Sequence, residues 1–140
     1  MARKDLIARV LVAALALAAI AWLGLSYRNT VLLEEAFDIA ATPDVPGERI
    51  EHALDLVERS EPLNPDRGEI TRLRVALQVR AGRRDLALET AKRYARAEPE
   101  STDAWALLAD LSRTEDPELA AMARERWAEL DPVRGRPPSP

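Results

Sequence analysis

The sequence predicts an all-α protein: an N-terminal transmembrane helix followed by a short stack of about three helical hairpins. Three observations carry that expectation. Residues 10–27 contain no charged side chain. Ala, Leu, Arg and Glu dominate the rest while aromatics make up only 4%, a usage that favours helix over sheet. Finally, Pro65, Pro99 and Pro132 each close a helix-like segment, at separations of 34 and then 33 residues.

The first segment reads VLVAALALAAIAWLGLSY over residues 10–27. As a helix, eighteen residues span about 27 Å, close to the hydrocarbon thickness of a bilayer. Arg9 lies near the helix end, from which a long cationic side chain reaches the headgroups. Trp22 and Tyr27 fall toward the other end, where amphipathic rings prefer the interface. Arg3, Lys4 and Arg9 outweigh Arg28 across the span. Residues 1–9 are therefore expected in the cytoplasm and the body of the chain outside it. A cleaved signal peptide is the competing reading, with Ala19–Ala21 as the small-residue site. Against it, the apolar run continues through Trp22, Leu23, Gly24 and Leu25. Either reading puts the body outside the cytoplasm. Ala14, Ala18 and Ala21 share one helical face, continued by Gly24 with Ala8 below, and form a candidate transmembrane packing face.

Beyond the span the chain repeats itself. Twelve residues before each closing proline stands Ala53, Ala87 or Ala120, and two before it Leu63, Ala97 or Leu130. Between Pro65 and Pro99, Ile70, Leu73 and Leu77 recur at helical spacing, with Ala76 and Val79 expected to broaden the stripe. Gly82 then breaks the hairpin. Between Pro99 and Pro132 the order returns, and Asp116-Pro117 starts the second helix, proline being at home in a first helical turn. A first hairpin is expected over residues 28–65, its connection reading ATPDVPGE. Pro62 ends its second helix early. Since neither glycine nor proline occurs from Ser26 to Ala41, the membrane helix is expected to run into the first repeat helix. Residues 66–132 form two further hairpins, and the proline-rich tail 133–140 is expected to be disordered.

This pattern resembles the tetratricopeptide repeat family, on Gly82 at the intra-hairpin turn, Ala87 and Ala120 in the second helices, Trp105 early in a first helix, and the closing prolines. The chain departs from the family where Ala91 precedes Tyr94 and Arg124 precedes Trp127, since the family sets the aromatic first. The resemblance implies a short right-handed α-solenoid whose concave face is lined by first-helix residues. Those are Glu69, Arg72, Ala76 and Val79, then Asp103, Ala106, Asp110 and Arg113, with Glu35 and Asp38 from the first hairpin. It also implies a non-catalytic role: a protein-binding adaptor or accessory subunit of a membrane or envelope complex. The partner, which includes an integral membrane protein among the candidates, would lend an extended or helical segment to the groove. The rivals are self-assembly, as a homo-oligomer, or substrate positioning within a membrane-embedded envelope enzyme. The groove lacks the lysine and asparagine cluster with which some family members clamp a terminal carboxylate.

Other chemistry finds no support. The chain has no cysteine, so thiolate metal sites and cysteine nucleophiles are excluded. His52 stands alone. Glu34, Glu35 and Asp38 read as a solvated acidic face, because catalytic carboxylates need a pocket that splits their pKa values. No phosphate loop or nucleophile elbow occurs. No catalytic residue, cofactor or metal is expected. Residues 1–9 carry +2, so the chain's −4 leaves −6 for the remainder, and without a basic stripe nucleic acid is not an expected partner. Trp105, Trp127 and Tyr94 are expected as spacers between helices.

Overall fold

A computed structural model describes residues 2–63 and 66–131, and its side chains over 11–24, 27, 30–62 and 66–131. All regular structure among these residues is helical. Helix α1 runs unbroken through Ala2–Ala41. It is followed by α2 (Gly47–Ser60), a single 3-10 turn at Glu61–Leu63, α3 (Arg67–Arg80), α4 (Arg84–Ala97), α5 (Thr102–Ser112) and α6 (Pro117–Leu130). Pro65, Pro132 and the tail 133–140 lie outside the described residues, as do the side chains of Arg3, Lys4, Arg9 and Arg28 on which orientation in a membrane was argued.

Local chemistry explains the boundaries. Asp66, Ser101 and Asp116 cap α3, α5 and α6 by accepting from the backbone N–H three residues on, satisfying donors that a helix start leaves orphaned. Pro117 occupies the first turn of α6. Gly82 takes φ +74°, a left-handed conformation natural to glycine, and its N–H donates to the Val79 carbonyl. At the end of α2, Pro62 falls in the 3-10 turn directly after Ser60.

Each helix packs on its sequence neighbour, giving the hairpins α1/α2, α3/α4 and α5/α6. The hairpins stack with their first helices side by side and parallel. Arg80, at the end of α3, donates to the carbonyls of Ile39, Ala40 and Thr42 at the end of α1. Arg72, near the start of α3, pairs with Asp103 at the start of α5. Two cores result. One joins Leu33, Ala36 and Ile39 of α1 to Ile50, Ala53, Leu56 and Val57 of α2 and Ile70, Leu73 and Leu77 of α3. The other joins Val75 to the inner faces of α4, α5 and α6. Helix α3 belongs to both, so its apolar side chains are spread around its circumference rather than gathered on one stripe. Ala76 and Val79 do not broaden the buried stripe as expected: both are exposed, and Val75 is buried instead.

The alanines at the repeated position are wholly buried in the hairpins. Ala53, Ala87 and Ala120 are 0, 0 and 1% exposed. Tyr94 is buried and Trp105 packs against the second core, while Trp127 is half-buried. The reversed order of small and large residues is accommodated because Ala91 lies wholly buried one turn before Tyr94.

Nothing in the described molecule covers the first part of α1. Leu11, Val12, Leu15, Leu17, Ile20, Trp22, Leu23 and Tyr27 are all exposed. Among the described residues no helix is long and apolar enough to cross a membrane. Within the apolar run, side chains are described continuously over residues 11–24, fourteen residues, or about 21 Å of helix.

Candidate partner-binding surface

Two stripes of side chains meet on the face shared by the first helices. Glu69, Arg72, Ala76 and Val79 follow one another on α3 at helical spacing, as Asp103, Ala106 and Asp110 do on α5 with Arg113 as its C-cap. The Arg72–Asp103 ion pair joins them. This pairing consumes two of the charges that a partner could have read. Val79, Asp110 and Arg113 are exposed, and Glu69 and Ala106 half-buried. Asp110 and Arg113 form no ion pair among the described residues, although the Arg113 backbone N–H donates to the Asp110 carbonyl. From α1, Asp38 is exposed, whereas Glu35 turns to α2 and meets His52 Nε2 at 3.2 Å. The lone histidine thus has an exposed carboxylate partner. No group of three or more His, Cys, Asp or Glu side chains that could hold a metal occurs among the described residues.

A cleft of about 560 Å³ opens at the start of this face, lined by Asp66, Arg67, Gly68, Arg72, Tyr94, Glu98 and Asp103. A second, of about 290 Å³, lies between α3 and α4 and includes Glu61, Arg67, Arg74 and Arg93. Arg67, Tyr94 and Glu98 line both. The Tyr94 ring is buried and its hydroxyl lies 3.3 Å from Ser101 Oγ. That hydroxyl also lies so close to Gly68 that a Cβ there would sit 2.5 Å away. Arg74 grips Glu61 with both guanidinium nitrogens, at 3.3 and 2.7 Å. The hydrogen bond from Arg74, with its positive charge, holds the Glu61 carboxyl below the usual glutamate range against the opposing effect of burial.

Sequence reasoning placed Arg72 and Asp103 on this surface but missed Arg67, Gly68, Tyr94 and Glu98. The missed residues stand at helix ends, where periodicity carries no information about neighbours. Only the stacking of α3, α4 and α5 gathers them. Ala14, Ala18, Ala21 and Gly24 are exposed on α1, and no heavy atom lies within 4 Å of a Cβ placed on Gly24. A face for another helix is thus available there, and nothing in the described chain occupies it.

Comparisons with protein-family models, with curated proteins and with solved structures find no match to this chain.

Proposed function

We propose that this protein is a membrane-anchored, non-catalytic interaction module of tetratricopeptide-like type, an adaptor or accessory subunit of a membrane or envelope complex. The observation that carries the reading is the continuity of α1. The same helix whose N-terminal half exposes an uncharged apolar run contributes Leu33, Ala36 and Ile39 to the first core. Uncovered apolar surface on this scale marks an interaction with lipid or protein. The uncharged sequence over residues 10–27 is long enough as a helix to serve as the anchor. The groove along α3 and α5 is the candidate docking face, with Val79, Asp110 and Arg113 as its free contacts. Residues 1–9 lie in the cytoplasm and the hairpins outside it in this reading, by the excess of basic residues before the span.

The test is mild detergent extraction of tagged full-length protein, followed by mass spectrometry of what co-purifies. A stoichiometric multispan partner that is lost on Asp110→Lys or Val79→Asp, yet kept on Ala18→Leu, supports groove-mediated recruitment. The opposite pattern moves assembly to the alanine face of the anchor. Recovery of the chain in the aqueous phase without detergent would overturn the anchor.

A further inference from the structure

Which end of the stack faces the bilayer follows from the direction of the helices. Arg80 meets α1 at residues 39–42, and α1 and α3 run parallel. Stepping back thirteen residues along α3, about 20 Å, brings Arg67 level with about residue 27 of α1, the end of the uncharged run. Helix α5 runs parallel to α3. The Arg126–Glu100 pair puts the last turns of α6 at this same end.

We infer that the end formed by the α2–α3 and α4–α5 connections and the last turns of α6 rests on the headgroups of the bilayer in which α1 is anchored. The inference rests on the anchor reading above. Two further observations support it. The first is the distribution of aromatic residues. Tyr27 is exposed at this end and Trp105 and Trp127 are half-buried here, the Trp105 ring reaching back so that Nε1 donates to the Pro99 carbonyl at 2.9 Å. Tyrosine and tryptophan are the residues that favour the membrane interface.

The second is charge. Arg67, Arg93 and Arg96 are exposed here, and none of them joins an ion pair among the described residues. Meanwhile Glu61, Glu100 and Asp103 are held by Arg74, Arg126 and Arg72, and Asp66 caps α3. Glu58, Glu69, Glu98 and Glu125 also stand at this end, exposed or half-buried, and join no ion pair among the described residues. Arg93 donates to Thr90 Oγ1 at 3.5 Å, and exposed guanidinium groups outside ion pairs suit lipid phosphates, which arginine can grip with two parallel N–H bonds.

The absence of cysteine makes the test direct. Full-length Glu100→Cys and Arg113→Cys proteins, labelled with one fluorophore each, are reconstituted in phosphatidylcholine–phosphatidylglycerol vesicles carrying a nickel-chelating headgroup lipid as quencher. Glu100 is 80% exposed, and Arg113 stands at the opposite end of α5. Quenching several-fold stronger at position 100 than at 113 is expected. Equal quenching, or stronger quenching at 113, in protein that floats with the vesicles overturns the inference. Failure to float with vesicles overturns the anchor reading itself. Adding Arg67→Glu and Arg93→Glu to the protein labelled at 100 should at least halve its quenching. An unchanged signal overturns the part assigned to the arginines.

Discussion

Gly68 stands in the first turn of α3 directly against the Tyr94 hydroxyl, where a helix former would ordinarily be preferred. Gly68→Ala gains roughly 1 kcal/mol of helix propensity, yet its methyl meets the hydroxyl at 2.5 Å. We expect net destabilisation, a lowered melting temperature, and its relief when Tyr94→Phe is added. Arg80 closes the end of α1 through three carbonyls, at 3.1, 2.5 and 2.6 Å. Arg80→Met keeps the aliphatic stem and leaves those acceptors to water. A loss of about 1–3 kcal/mol in urea unfolding is expected. At Glu61 the folded-state pKa is depressed, so its contribution is present above the unfolded value and disappears as pH falls through the folded one. Arg74 is 18% exposed and Glu61 48%, which limits the pair to about 1 kcal/mol after screening. Glu61→Gln should therefore lower the midpoint slightly at pH 7, by an amount that shrinks as the pH is lowered through the acid range, when melting curves of the two proteins are compared.

At the scale of elements, α3 is the piece on which both cores depend. Leu77 is fully buried against α1 and α2, and Leu77→Ala should cost about 2–5 kcal/mol, with amide exchange accelerating throughout α1–α3. The two cores share α3 but no residue, so a cavity in one should leave α5 and α6 better protected than α2. Uniform loss of protection would show that the stack unfolds as one unit instead. The hairpin turns differ in how they are made. Gly82 uses positive φ, whereas the α5–α6 turn closes through the Asp116 N–H donating to the Ser112 carbonyl. Turn residues, caps and proline positions were legible because each acts on its own backbone within a few residues.

For the whole molecule, the uncovered part of α1 and the packed hairpins make separate demands. Every described core residue lies at or beyond Leu33. A chain beginning at residue 28 should therefore keep its helix content and melt cooperatively, which circular dichroism can follow. Its failure to fold would mean that the earlier part of α1 supports the stack after all. Nearest-neighbour packing of this kind makes stability a sum over adjacent hairpins. Losing α5 and α6 should then expose Val75 and the inner face of α4 but spare the first core.

The sequence by itself determined the helical class, the period of the hairpins, the alanines repeated at one buried position and the apolar character of residues 10–27. All of these are properties of one segment or of a spacing along the chain, and local backbone preference with hydrophobic periodicity is enough to read them. Tertiary structure decided the rest. It buried Val75 in place of Val79, turned Glu35 to His52, joined Arg72 to Asp103 and put Tyr94 on the lining of two clefts. Those outcomes depend on which helix lies beside which and at what height, and side chains some thirty residues apart meet only once the hairpins have stacked.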